Sequence, residues 1–203
     1  MKKLMLTLLA ALSFSVQAQA VTPPDQVVKG TTAKLQQLIR ENHVKYKADQ
    51  PMFYKVVDEV VLPHFDVRYI GQLVLARHWR DASEEQRSRF QEAFKNMLIR
   101  TYANALLEYH DSVEAEWAPL RLADDATDVT VNSTLLRKNG PPIPVGFVMR
   151  KLDSGWKIYD ITIENISLIA NFRGQFNSEI RKSGLDDVIQ RMENGAFAPG
   201  ARG

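Results

Sequence analysis

SEEQRSRFQEAFKNMLIRTYANALLEYHDSVEAEW, residues 83–117, changes its apolar period partway along. Ser83-Glu84-Glu85-Gln86 has the spacing of a capping box, in which a serine hydroxyl and a glutamine side chain satisfy orphan amides at a helix start. Phe90, Phe94, Met97, Leu98, Thr101, Tyr102, Ala105, Leu106 and Tyr109 then recur at three and four, the step that gathers residues on one side of a helix. Beyond Ser112 the step becomes two, and Val113, Ala115 and Trp117 alternate with acids as in a half-buried strand. A long helix followed at once by sheet predicts an α+β domain, with the helical stripe packed on the sheet.

The flanking sequence fits that frame. Upstream, Pro23-Pro24 precedes a helix over 25–47, and Pro51 opens a second whose Phe53, Val56, Val57, Val60 and Val61 run to Pro63. A third helix covers about 66–76. Downstream, a second strand spans about 128–137, and Lys138-Asn139-Gly140-Pro141-Pro142 is too rich in proline for a two-residue hairpin. Strand three, 143–152, turns through Asp153-Ser154-Gly155 into strand four, 156–164, giving a mainly antiparallel sheet of about four strands. Helices over 166–182 and 185–194 are parted by Gly184, and 195–203 reads as a frayed tail.

The first twenty residues have the grammar of an address. Lys2 and Lys3, an apolar run from Leu4 to Phe14, and Ala18-Gln19-Ala20 predict a signal peptide cleaved before Val21, leaving residues 21–203 as one domain in the bacterial periplasm. The whole chain carries 26 basic and 24 acidic residues. Losing Lys2 and Lys3 makes the mature chain formally neutral. With no block of basic residues, it lacks the footprint of a nucleic-acid binder and of a strong adsorber to anionic lipid. There is no cysteine, so no disulfide, thiolate metal site or lipoprotein anchor is available.

The search for a catalytic constellation finds little. His43, His64, His78 and His110 have no metal-ligand spacing, and neither a nucleophile elbow nor a phosphate-cradling glycine loop is present. The expectation is a protein with no metal, no cofactor and no enzymatic activity. Asp160, on strand four, keeps one alternative open: a carboxylate at the mouth of an apolar cone acting as general base. The plainer reading is that Asp160 is hydrogen-bonded at the sheet edge or to a helix terminus.

Three stretches together resemble a known family. They are Leu62-Pro63-His64-Phe65-Asp66-Val67-Arg68-Tyr69 with Leu73-Val74-Leu75; His78-Trp79-Arg80-Asp81-Ala82-Ser83-Glu84-Glu85-Gln86 with Arg89-Phe90; and Gly155-Trp156-Lys157-Ile158-Tyr159-Asp160-Ile161 with Glu164-Asn165-Ile166-Ser167-Leu168 and Asn171-Phe172-Arg173. In this order they resemble the MlaC, or toluene-tolerance, family of periplasmic phospholipid-binding proteins. Ala76 and Asn165 stand where glycine is common in that pattern. The resemblance implies helices against a twisted, nuclear-transport-factor-like sheet, with the acyl chains of a phospholipid between them. It further implies a role in outer-membrane lipid asymmetry, with two partners: an outer-membrane lipoprotein–porin complex and an inner-membrane ABC transporter with an MCE-domain subunit. A monomer carrying lipid between them is the expected form, and a carrier of another apolar lipid, such as a hopanoid, is the alternative within the same class.

Periodicity names the candidate lining. Phe94, Leu98, Tyr102 and Leu106 lie on one helical stripe, and Val145, Phe147 and Met149 on one strand face. Leu73, Val129 and Val131 complete the walls, while Ile166, Ile169 and Ala170 close the mouth.

Overall fold

In the computed structural model, residues 21–138 and 140–197 are described; the signal peptide expected at 1–20, Asn139 of the Pro-rich turn and residues 198–203 of the expected tail lie outside them. Five strands form one antiparallel sheet in sequence order: β1 (Val113–Trp117), β2 (Asp128–Arg137), β3 (Ile143–Leu152), β4 (Gly155–Ile163) and β5 (Ile166–Ser167). Strand β5 is the addition to the expected four. It is a two-residue return against Thr162 and Ile163, too short to carry a period of its own.

Register puts one set of side chains on one face. Val129 pairs with Met149, Val131 with Phe147, and Phe147 in turn with Ile161. On β4 the pairing slips, since Val148 faces Asp160 while Met149 faces Ile158. Tyr159 is therefore the extra residue of a bulge, which switches the parity of β4 so that Ile158 and Ile161 both serve the same face.

Four of the helices start just after a side chain that caps them. Helix α1 (Pro24–Ala48) opens on proline, and α2 (Gln50–Val60) starts where the Asp49 carboxylate accepts the Met52 amide at 3.0 Å. A 3-10 turn at Leu62–His64 leads to α3 (Val67–Leu75), capped by Asp66 on the Tyr69 amide at 3.0 Å. A five-residue α4 (Arg77–Asp81) follows, and then α5 (Glu84–Tyr109), whose capping box is formed by Gln86 N–H to Ser83 Oγ at 3.1 Å and Ser83 N–H to Gln86 Oε1 at 2.9 Å. Helices α6 (Leu168–Ser183) and α7 (Leu185–Glu193) complete the chain, turned at Gly184 with φ 86°. The expected fraying does not begin at 195: the Phe197 ring packs tilted against Phe176 at 5.3 Å, with the Arg191 guanidinium 4.8 Å from its ring.

Helix α5 departs from expectation in its partner. It packs against α1, α2, α3, α6 and α7 rather than directly on the sheet. The reason is that α5 carries two buried faces. In its first half Phe90, Ala93, Phe94 and Met97 join Ile70, Val74, Phe176, Ile180 and Val188 in a helical core. Farther along, Ile99, Ala103 and Leu107 turn to meet Leu35, Ile39, Tyr46, Phe53 and Val57 of α1 and α2. Helix α1 thus has two jobs, since its Val28 packs on the sheet with Val131, Met149, Trp156 and Ile158. On the other flank Phe65 packs against both the helical core and the sheet cluster, and its strand bridge to Ile158 ties it down.

Both positions where the family pattern favours glycine have positive φ here: Ala76 at 48° and Asn165 at 65°. Asparagine tolerates that region, whereas a Cβ on alanine is strained there.

Candidate functional site

Between the two buried faces of α5 lies a third. At about 100° per residue, Leu98, Tyr102, Ala105, Leu106 and Tyr109 fall within one sector about 100° wide, bounded by the Phe94 face on one side and the Ile99 face on the other. Nothing of the described chain covers it fully: Leu98 is half-buried, while Tyr102, Leu106 and Tyr109 are 37%, 40% and 56% exposed. Scattered exposed apolar residues are ordinary, but a contiguous row on a helix otherwise buried on two faces is a candidate binding surface.

Tyr102 shows what kind of surface it is. Its ring is open to solvent, yet desolvation holds its phenol above the ordinary tyrosine value. The ring is thus part in water and part against apolar neighbours, with the hydroxyl end losing some of its solvent. Among the described residues its hydroxyl has no protein partner.

The predicted lining separates into three groups. Leu73, Phe94, Leu98 and Ile169 come together in the helical core, with Phe94 and Ile169 fully packed and the other two half-buried. Val129, Val131, Phe147 and Met149 form one cross-strand block, of which Val131 and Met149 are closed in and Val129 and Phe147 half-open; Val145, on the same face of β3, is buried. Tyr102, Leu106, Ile166 and Ala170 stand exposed, the last two where β5 hands over to α6. The structure adds residues that period alone does not single out. Phe172 meets Phe94 edge-on at 5.2 Å, Trp117 lies 6.0 Å from Phe147, and Ile161 continues the Phe147 row. Trp117 and Ile161 had a signal in their strand alternation; Phe172 had only its place in the third stretch.

Asp160 is committed to architecture. One of its oxygens accepts the amides of Ile161 at 2.8 Å and Ile169 at 3.1 Å, and the other accepts the Ser167 hydroxyl. The plainer reading of the sequence therefore describes its surroundings. His43 and His110 stack at 4.3 Å, and each has a ring nitrogen within hydrogen-bond reach of the Leu107 carbonyl at the end of α5. Among the described residues no three His, Cys, Asp or Glu side chains converge as metal ligands, and no helix is long and apolar enough to cross a membrane.

Comparison with known proteins gives concordant results. The family model described as "MlaC protein" matches residues 29–194. The "Toluene tolerance protein ttg2D" of Pseudomonas putida is 32% identical over 184 residues, covering 90% of this chain and 83% of that one. The "Intermembrane phospholipid transport system binding protein MlaC" of Haemophilus influenzae is 27% identical over 188 residues, covering 90% and 86%. A solved structure of the phospholipid-binding protein from Ralstonia solanacearum, in complex with a phospholipid, superposes with a TM-score of 0.78 at 29% identity, over 86% of this chain and 97% of that chain.

Proposed function

The chain belongs to the MlaC family, and from that premise we propose that it is a soluble phospholipid carrier of the periplasm, released by cleavage of residues 1–20. The acyl chains lie between the open sector of α5 and the Val129–Phe147 block of the sheet. Helices α1 and α6 hold the two apart.

The observation that carries this reading is the exposed row Tyr102, Leu106 and Tyr109, with Leu98 half-covered at its head, on a helix whose other apolar faces are packed. Its energetics fit the task. Moving a CH₂ from an apolar phase to water costs about 0.8 kcal/mol, so a two-chain lipid with sixteen carbons per chain faces roughly 25 kcal/mol. A carrier has to replace that contact with on the order of 1,000 Å² of apolar wall, at about 25 cal/mol per Å². A formally neutral mature chain leaves the head group largely in solvent. The carrier works as a monomer and passes lipid between an outer-membrane lipoprotein–porin complex and an inner-membrane ABC transporter with an MCE-domain subunit, maintaining outer-membrane lipid asymmetry.

Native mass spectrometry of the mature protein, with extraction of whatever it holds, tests the reading. One phospholipid per chain is the expected result. Protein that leaves a lipid-rich host empty, and takes nothing from vesicles, overturns it.

A further inference from the structure

Helices α4 and α6 lie side by side and carry exposed arginines that form no ion pair. Along α6, Ala170, Arg173, Asn177 and Arg181 fall within a sector about 80° wide, and Arg173 and Arg181 stand about 12 Å apart along the axis. The His78 ring nitrogen lies 3.1 Å from Asn177 Oδ1, which fixes α4 beside the middle of this row, and Arg77 Nε approaches the same imidazole at 3.5 Å. Arg77, Arg80, Arg173 and Arg181 are exposed. Among the described residues none of the four is within ion-pair distance of a carboxylate. Glu179, the acid of α6, points to the other side, where it holds Lys182 at 2.9 Å and Arg191 at 2.8 Å. Asp81, the acid of α4, is exposed and pairs with neither arginine of its own helix.

In a mature chain with no net charge, Arg173 and Arg181 on one side of α6, with Arg77 and Arg80 on the helix docked beside it, are a local field rather than a global one. The large exposed apolar side chains lie elsewhere, and the one nearest in the chain is Ile166, two residues before α6. A stable protein–protein interface needs an apolar or aromatic centre, and among the described residues no large exposed apolar side chain belongs to α4 or α6. A sheet of lipid phosphates asks only for cations.

We propose that the Arg77, Arg80, Arg173 and Arg181 strip rests on the head-group phosphates of an anionic bilayer, with Ile166 and Ala170 at the edge that meets it. Adsorption by four side chains is weak, reversible and screened by salt, as repeated visits require. The adsorption stands apart from the carrier reading; only the presentation of a lipid entrance to the bilayer rests on it.

Co-sedimentation of the full mature chain with vesicles separates the possibilities. Binding is expected to phosphatidylcholine vesicles containing phosphatidylglycerol, to fall as salt rises, and to be absent with phosphatidylcholine alone. The double variant R173E/R181E loses about thirtyfold or more in affinity. K34E/R40E, an equal change of net charge at exposed positions of α1, keeps most of the binding. Thermal melts verify that both variants are folded. Indifference of the wild type to phosphatidylglycerol overturns the proposal and leaves an acidic protein surface as the occupant. Equal losses in the two variants overturn it as well, by reducing the effect to net charge. Because no transfer of bound lipid is read, an empty carrier and a failed docking surface remain distinguishable.

Discussion

Ser167 donates its hydroxyl to the Asp160 carboxylate while accepting the Ala170 amide at 2.9 Å, so one side chain joins the end of the sheet to the first turn of α6. Asp160 adds a direct bond to the Ile169 amide at 3.1 Å, which leaves the start of α6 with little freedom to move against β4. The position of Ile169 in the helical core, and of Ala170 outside it, follows from this junction.

Asp160→Asn is expected to act on stability rather than on a reaction. The amide keeps the shape, and with its oxygen on the two backbone amides it turns an NH2 toward the Ser167 hydroxyl, which loses its acceptor, at a cost of about 1 to 3 kcal/mol. The thermal midpoint should fall while lipid bound per folded protein stays near the wild-type value. A variant of unchanged stability that loses a turnover activity of the wild type would revive the general-base reading.

Ala76→Gly is expected to stabilise the protein. Ala76 links α3 to α4 with φ 48° and ψ −115°, a conformation that costs a residue with a Cβ about 1 to 2 kcal/mol. Glycine adopts it freely but adds about 0.4 to 1 kcal/mol of unfolded-state entropy, so the net gain lies between about 0 and 1.5 kcal/mol. Asn165→Gly should be close to neutral, because asparagine already tolerates φ 65°. Urea unfolding of both variants measures the contrast; a destabilised Ala76→Gly contradicts the strain.

The same two positions show how legibility varied along the chain. Glycine preference at Ala76 and Asn165 was visible as a pattern, and the structure supplies its cause in the sign of φ. Ser83 and Gln86 announced the start of α5 because a capping box is local chemistry. What lay beyond was ambiguous, since 94-98-102-106 and 99-103-107 are both apolar rows at helical steps. Periodicity cannot say which row meets protein and which is left open. Ile99, Ala103 and Leu107 were the ones buried, because α1 and α2 return to that side. Strand β4 was similarly mute about its bulge: Trp156, Ile158, Tyr159, Ile161 and Ile163 are apolar at both parities, so no slip could be read. Helix α4 and strand β5 are too short to have a period at all.

The Tyr102 phenol offers a pH-dependent reporter of the open sector. Desolvation raises its titration above the ordinary value near 10 even without ligand. Acyl chains beside the ring remove more water and should raise it further, so loaded protein holds this proton to higher pH than empty protein. Linkage then fixes the sign: with the folded value above the unfolded one, stability is full below the unfolded value and declines as pH rises through the two. By the same linkage, lipid affinity should fall at alkaline pH. Tyrosine-selective NMR, with Tyr102→Phe to assign the signal against Tyr159, which burial also raises, measures the midpoint with and without lipid. An identical midpoint in both states would place Tyr102 away from the tails.

Ile169 and Ala170 are neighbours with opposite surroundings, and the contrast separates packing from binding. Ile169 is 9% exposed in the helical core, so Ile169→Ala removes buried carbons and should cost about 2 to 4 kcal/mol of stability. Ala170 is exposed beside Ile166, so a larger side chain there meets no packed wall. Overpacking would cost about 1 to 3 kcal/mol if it did. Ala170→Trp is therefore expected to leave the thermal midpoint of lipid-free protein nearly unchanged. If the mouth of the lipid chamber lies between Ala170 and the open sector of α5, the indole obstructs it, and lipid recovered per protein falls. Ile169→Ala should show the reverse, with a lowered midpoint and lipid retained by the fraction still folded. Full lipid loading in a stable Ala170→Trp protein would move the mouth away from the start of α6, and a large drop in its midpoint would place Ala170 in packed core.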